Sequence, residues 1–133
     1  MIPKFNDSGY LPAGIHVASV AEIEERFGRE SELRRAQMES LRWLIDLAKQ
    51  AGVSRLILNG SFVTDIIEPN DVDCVLLDKQ EYPKDENAEE ELLEGLPFLE
   101  ISILPQPDFE ELVNEFFAMD RYGVPKGVVE VML

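Results

Sequence analysis

The sequence predicts one α/β domain (an α+β fold) in which a mixed sheet of about four strands is backed by helices. Short apolar runs end at turn residues, as strands do, and two longer segments repeat apolar residues near the helical period. With 133 residues, of which 45% are hydrophobic, the chain is long enough to form one compact core. The predicted domain spans residues 1–133 and includes an extended N-terminal arm over residues 1–18, where Pro and Gly recur.

Two helices are predicted in the first half of the chain. Ser19 and Glu22 have the spacing of a capping box, which predicts a short helix ending near Phe27. A longer helix, starting at residue 30 or 31 and ending near Ala51, follows from apolar residues that recur at helical spacing. The charged residues that this pattern assigns to a solvated outer face are Arg34, Arg35, Glu39, Arg42, Asp46 and Lys49.

Apolar runs and breaker residues predict the remaining elements. The predicted strands are residues 56–58, 71–77, 98–104 and 128–133. A polar connection over 78–95 contains an acidic run and a short helix near residues 89–93. Asp108 is predicted to cap a helix over 109–119, whose apolar stripe packs against the sheet and leaves the acidic face of the sheet open.

Charge limits the classes of partner. The formal net charge is −15, from 27 acids and 12 bases, so broad binding to nucleic acid is not expected, because phosphate backbones are bound by Lys and Arg. A nucleotide bound through divalent cations remains compatible with this charge, and a basic protein partner is favoured. No apolar run approaches the length of a membrane span, and no targeting segment is recognised. The single cysteine, Cys74, is expected to be buried, and its lack of a disulfide partner favours the cytoplasm.

The residues with the clearest chemical meaning lie around residue 60 and residue 71. An apolar strand ends at Gly60-Ser61, nine residues follow, and the next strand opens with Asp71-Val72-Asp73. Alternation along a strand places Asp71 and Asp73 on one face. Two adjacent carboxylates repel each other, whereas together they can bind Mg²⁺ or Mn²⁺. Gly60 lets a phosphate approach the backbone, and Ser61 opens a turn whose N–H groups and hydroxyl face it.

Three further polar residues have alternative roles. Thr64 offers a second hydroxyl to a phosphate, although its commoner role is local backbone bonding. His16, the only histidine, lies in a loop without a partner in the sequence, so a structural role is favoured over that of a general base. Trp43 and Met38 fall off the main apolar stripe of the long helix. Partial burial under the arm is favoured over contact with a partner.

The pattern of apolar strand, Gly60-Ser61, spacer and Asp71-Val72-Asp73 resembles the signature of the polymerase-beta type nucleotidyltransferase superfamily. Nearly the whole chain also resembles a bacterial domain-of-unknown-function family of small nucleotidyltransferase-like proteins. The segments that carry this second resemblance are Ile2-Pro3, Phe5-Asn6, Leu11-Pro12, Gly14-Ile15-His16, Arg26-Phe27-Gly28, Asp71-Val72-Asp73 and Pro125-Lys126-Gly127.

The superfamily resemblance implies a role for each matching residue. Gly60 and Ser61 would hold the phosphates of a nucleoside triphosphate (NTP), and Asp71 and Asp73 would hold Mg²⁺ or Mn²⁺. A third carboxylate on a later strand would assist deprotonation of the acceptor hydroxyl. Glu100 is the candidate for this role, and for a third metal ligand, because it lies mid-strand on the more polar face, and Glu130 competes with it. Lys126 and Arg121 are the basic residues nearest to offset phosphate charge, although a turn lysine is exposed by default.

Two hypotheses about function follow. The first is a Mg²⁺-dependent nucleotidyltransferase that moves a nucleoside monophosphate from an NTP to a hydroxyl, including that of a protein partner, as the resemblance to small antitoxin members implies. The alternative is a noncatalytic protein or antitoxin of the same fold that neutralises a basic partner, such as a toxin. The chain is short for an active member, and a homodimer is one way to complete the nucleotide pocket.

Overall fold

The computed structural model describes residues 2–78, 85–116 and 118–133. The short connection at 79–84 and Phe117, both included in the sequence predictions, lie outside the described residues. Over the described part the chain forms five strands and four α-helices. In chain order these are β1 (Ile15–Ala18), α1 (Val20–Phe27), α2 (Glu32–Ala51), β2 (Leu56–Asn59), β3 (Val72–Leu77), α3 (Glu86–Glu94), β4 (Leu99–Leu104), α4 (Gln106–Glu111) and β5 (Val128–Val131). A 3-10 turn follows β2 at Ser61–Val63, and a π-helical turn at Leu112–Phe116 extends α4.

The predicted α+β class is confirmed, with one more strand than the sequence indicated. The sheet is mixed and has the order β1-β5-β2-β3-β4. The two outer pairs, β1 with β5 and β3 with β4, are parallel, and the central pairs are antiparallel. The extra strand, β1, lies in the segment predicted as an extended arm. Its four residues show no alternating pattern, and pairing with β5 is what makes them a strand.

Helix ends agree with the capping signals. Ser19 accepts from the Glu22 backbone N–H at 3.2 Å while the Glu22 carboxylate accepts from the Ser19 N–H at 3.3 Å, which completes the predicted capping box. Ser31 caps α2 by accepting from the Arg34 N–H at 3.0 Å. Gly52 ends α2 at φ +76°, a backbone conformation that glycine adopts without strain.

Side chains pack on both faces of the sheet. The larger cluster, which includes Cys74 and Leu58, lies between the sheet and α1, α2 and α3. A smaller cluster of Ile57, Val75 and Phe109 lies under α4 on the opposite face. The sequence predicts that α2 and the helix after β4 both cover the face opposite the acids. That prediction is wrong for α4, which packs on the face that carries the acids.

Other predicted element boundaries also differ from the structure. Asp108 lies inside the first turn of α4, which begins at Gln106 after Pro105, so it is not the cap. Proline is well suited to a helix start because its φ is already near the helical value. Asp71 precedes β3 rather than opening it, because pairing with β4 begins at Val72. The acidic run predicted as loop with a short helix is largely α3, which Asp85 caps by accepting from two backbone N–H groups at 3.0 and 3.2 Å.

The N-terminal arm joins the two ends of the chain. Leu11 is fully buried, and its carbonyl accepts from the Gly127 N–H at 2.9 Å. A Cβ at Gly127 would overlap the Pro12 carbonyl, so the arm approaches the turn as closely as it does only because residue 127 is glycine. His16 Nε2 lies 2.6 Å from the same Pro12 carbonyl, which agrees with the predicted structural role.

None of the helices over the described residues is long and apolar enough to cross a membrane.

Candidate functional site

Three polar side chains form a row across neighbouring strands. Asn59 ends β2 and pairs in register with Asp73 of β3, and Asp73 pairs in turn with Glu100 of β4. Directly paired residues project to the same face of a sheet, so the three side chains lie side by side. This polar row lies on the α4 side, at the end of the sheet where β2 finishes and β3 and β4 begin.

The two carboxyl groups of the row are in contact. Partial burial, followed by a hydrogen bond to Glu100, raises the pKa of Asp73 from 3.8 to about 6. The negative charge of Asp71 adds to this rise and the positive charge of Lys126 opposes it. Below about pH 6 and without a cation, the Asp73 carboxyl is therefore protonated and donates to Glu100.

Gly60 lies directly against this pair. Its backbone is at φ +80° and ψ −167°, a region open essentially only to glycine. A Cβ added there would overlap the Asp73 carboxylate. The Gly-Ser corner and the Asp-x-Asp segment, which the sequence offers as two halves of one motif, therefore meet at the contact between Gly60 and Asp73.

The two hydroxyl residues after Gly60 differ in availability. Ser61 is partly exposed at the start of the 3-10 turn. Thr64 is only 6% exposed, and its hydroxyl donates to the Ser61 carbonyl at 2.7 Å, which is the commoner role weighed for it. Ser61 remains a candidate for ligand contact, whereas Thr64 shapes the turn that presents it.

Asp71 and Lys126 flank the row. Asp71 is exposed and, lying just outside β3, is not held by the strand pleat. Lys126 is half-buried on the turn before β5, where its backbone N–H donates to the Ala118 carbonyl at 2.9 Å. The site thus has two further acids, Asp71 and Glu100, next to Asp73, with one lysine close enough to oppose their charge.

Glu130, the competing third acid, is committed elsewhere. It lies on β5, separated from β3 by β2, and both of its oxygens accept from Arg55, at 2.7 and 2.9 Å. This bidentate pair raises the pKa of Arg55. The geometry therefore favours Glu100 over Glu130 as the third carboxylate of the site.

The most consequential residue that the sequence analysis misplaced is Arg34. It was assigned to the solvated face of α2, but it is 2% exposed. Its guanidinium donates to the carbonyls of Phe62, Thr64 and Ile66, at 2.5 to 3.2 Å, and to that of Phe27 at 3.0 Å. Burial lowers the pKa of Arg34. The arginine thus ties the connection between Gly60 and Asp71 to the long helix.

Gln37 continues this attachment one helical turn later. Its Nε2 donates to the Pro69 carbonyl at 2.6 Å, close to the residue where β3 begins. Arg34, Gln37 and Leu41 follow at spacings of three and four, so the apolar stripe of α2, extended toward its N-terminus, reaches both polar residues. That continuation was the available signal in the sequence.

Asn59 is the second residue that the sequence analysis missed. It is 3% exposed, and within the described part of the chain its Oδ1 has no hydrogen-bond partner. A buried acceptor without a donor is costly, by about 1–3 kcal/mol. Because Asn59 pairs in register with Asp73, this unsatisfied acceptor belongs to a residue on the same face of the sheet as the acid pair.

The donor set suits a hard cation. Carboxylates and an amide oxygen are the ligands that Mg²⁺ and Mn²⁺ prefer. Among the described residues, no three carboxylate, imidazole or thiol side chains already converge as one metal-ligating group. The contact pair of Asp73 and Glu100, with the Asn59 acceptor beside it, is what the structure offers to such a cation.

Comparison with known proteins gives one match. The sequence profile of a family of unknown function, DUF6932, matches residues 3–132. No curated protein matches the chain, and no solved structure matches it. The description of the family includes no activity, so the similarity to polymerase-beta type nucleotidyltransferases stays a prediction from the motif.

Proposed function

The chain belongs to the DUF6932 family, whose function is unknown, and we propose that it is a Mg²⁺- or Mn²⁺-dependent nucleotidyltransferase. In the proposed reaction it transfers a nucleoside monophosphate from an NTP to a hydroxyl group and releases pyrophosphate. One observation carries the proposal: Gly60 lies in contact with the Asp73 carboxylate, and Asp73 lies in contact with Glu100. The residues proposed to hold the phosphate, the cation and the proton therefore lie next to one another, and this proximity supports the proposal.

Each residue has a chemical role in this proposal. Asp71 and Asp73 would hold the cation, and the Asn59 amide oxygen is a neighbouring acceptor for it. A bound divalent cation would supply charge that offsets the triphosphate and the two acids. Gly60 leaves room for a phosphate against the backbone, and Ser61 presents its hydroxyl there. Lys126 adds positive charge at the open side.

Glu100 is the proposed proton acceptor. As the oxygen of the substrate hydroxyl bonds to the α-phosphorus, the hydroxyl proton passes to the Glu100 carboxylate. The bond between the α-phosphorus and the oxygen that leads to the β-phosphate breaks, and pyrophosphate leaves with that electron pair. Glu100 is exposed, so a macromolecular acceptor can approach it from solvent.

The test is nucleotide transfer followed by mass spectrometry. The protein is incubated with Mg²⁺ or Mn²⁺ and each common NTP, and pyrophosphate release and any transferred monophosphate are measured. We expect release for the wild type and at least a hundredfold loss for Asp73→Asn, since one oxygen ligand is removed. Asp78→Asn is a matched control, because Asp78 is an exposed acid just beyond the other end of β3. Equal rates for the wild type and Asp73→Asn would defeat the proposal.

A second candidate is a noncatalytic protein that binds a basic partner, such as a toxin. The net charge of −15 favours it, because such a surface attracts cationic proteins. It predicts neither pyrophosphate release nor metal-dependent nucleotide binding.

For both candidates we propose a cytoplasmic location, in keeping with the single buried Cys74. A homodimer that completes the nucleotide pocket also remains a proposal.

A further inference from the structure

A groove of about 370 Å³ runs along the exposed side of α2, next to the start of β4. Its two aromatic walls are Trp43, which is 50% exposed, and Phe98, which is 42% exposed. The residues that line it are Ala36, Glu39, Ser40, Trp43, Pro97 and Phe98. The predicted position of Trp43 under the N-terminal arm is therefore wrong, since Trp43 lies beside Pro97 and Phe98, whereas Met38 is buried at 2% exposure. We refer to this feature as the Trp43–Phe98 groove.

The backbone holds Phe98 in an unfavourable conformation. Among the described residues, Phe98 is the only one other than glycine with a positive φ, at +65°. Such a conformation is unfavourable for a bulky residue and is concentrated at functional sites. Two hydrogen bonds support it: the Val72 N–H donates to the Phe98 carbonyl at 2.9 Å, and the Ser40 hydroxyl donates to the Pro97 carbonyl at 2.5 Å. The segment is thus fixed with a large apolar ring left in solvent.

The groove also carries a negative charge. Glu39 is exposed at its edge, and no ion pair with Glu39 forms within the described part of the chain. Arg35 and Arg42, about one helical turn from Glu39 on either side, have other partners: Arg42 pairs with Glu24, and Arg35 donates to the Arg29 carbonyl at 2.9 Å. The carboxylate is therefore available to a cation from outside, on a molecule whose net charge is −15.

We propose that the Trp43–Phe98 groove binds an arginine side chain from a basic segment of a partner protein. A guanidinium stacks on aromatic faces, and tryptophan is the best such face. The Glu39 carboxylate would accept from the guanidinium N–H groups, and the acidic surface would attract the rest of the segment. Phe98 lies two residues before Glu100, but α2 packs on the opposite face of the sheet from the polar row, so the bound segment would lie on the other face from that row. The proposal does not depend on catalysis at that row.

The single tryptophan makes the groove directly observable, because all tryptophan fluorescence arises from Trp43. The probe is a tetra-arginine peptide with blocked ends, and the neutral counterpart is the same peptide made with citrulline. We expect a saturable change in Trp43 emission with the arginine peptide and at least tenfold weaker binding of the citrulline peptide.

Two variants separate the groove from general charge attraction. Glu39→Gln removes the carboxylate, and Phe98→Gly removes the ring while it relieves the positive φ, so this variant should fold at least as well as the wild type. Each should weaken peptide binding at least fivefold. Glu32→Gln removes an exposed acid from the same helix outside the groove and should change binding by less than twofold. Unchanged affinity for folded Phe98→Gly, or equal losses for Glu39→Gln and Glu32→Gln, would overturn the proposal.

Discussion

The Asp73 carboxylate has two opposed effects: it lowers the stability of the metal-free fold, and it provides a ligand for a cation. Its carboxyl is partly buried beside Glu100, and the resulting pKa of about 6 exceeds its usual value of 3.8. The folded protein therefore binds this proton more tightly than the unfolded chain does. The stabilisation is complete below about pH 4 and is lost as pH rises through about 6. At neutral pH the metal-free protein keeps an acid pair that weakens it.

We predict that Asp73→Asn stabilises the metal-free protein at pH 7. The amide keeps the shape and can donate to Glu100 without being ionised, so the gain should be roughly 1–2 kcal/mol after allowance for solvent screening. The gain should disappear at pH 4, where Asp73 of the wild type is protonated in the fold. Urea unfolding at the two pH values measures it, with Asp78→Asn as control. A gain that is the same at both pH values would contradict the assignment of the effect to this proton.

Replacement of Gly60 is predicted to destabilise the fold for two reasons, its positive φ and its contact with the Asp73 carboxylate. Gly60→Ala should destabilise the fold by about 2–4 kcal/mol, since it adds overlap with the Asp73 carboxylate to the backbone strain. Gly95 offers a close control, with φ +90° and ψ +165° and no described atom within 4 Å of an added Cβ. Gly95→Ala should therefore show the strain alone. Equal losses of unfolding free energy for the two variants would show that the contact with Asp73 contributes nothing.

At the scale of elements, α2 does more than cover the sheet. Arg34 and Gln37 on its buried side bind carbonyls of the connection between Gly60 and Asp71, and Ser40 does the same for the segment before β4. These polar side chains replace the hydrogen bonds that irregular backbone would otherwise lack. The helix thereby holds both loops that precede the acid-bearing strands β3 and β4.

Arg34→Met tests this role of the helix. The substitution keeps much of the apolar stem but leaves several carbonyls without donors, so the unfolding free energy should fall by about 3 kcal/mol or more. Arg35→Met is the matched control, because Arg35 is exposed on the same helix, and it should change stability by less than about 0.5 kcal/mol. Limited proteolysis locates the effect. Cleavage of Arg34→Met should increase first within residues 62–70, and no such increase would contradict the role.

For the whole molecule, most features that depend on neighbouring residues agree with the prediction, the Asp108 cap being an exception, whereas features that depend on distant segments do not. The Ser19 box, the Gly52 end of α2 and the Gly60-Ser61 corner depend on residues within a few positions, and each lies where it was predicted. Strand β1 and the side of the sheet that α4 covers depend on pairing between distant segments. The inward orientation of Arg34 depends on carbonyls more than 25 residues away. A single sequence does not display such partners, although the helical stripe pointed to Arg34.

The same distinction between local and long-range signals applies to the residues of the candidate site. Asp73 and Gly60 were predicted from the spacing of the motif, and register between β3 and β4 favours Glu100 over Glu130. Asn59 was missed because an asparagine at a strand end is ordinarily assigned to a turn. Its buried, unpartnered oxygen becomes evident only when β2 is paired with β3.

The most direct test of the central claim is equilibrium binding of a nonhydrolysable NTP analogue, measured by calorimetry with and without Mn²⁺. We predict saturable binding only with Mn²⁺ for the wild type and for Asp78→Asn, and at least tenfold weaker binding for Asp73→Asn. Binding that needs no cation, or that Asp73→Asn leaves unchanged, would contradict the assignment of Asp73 and its neighbours as a metal-dependent nucleotide site.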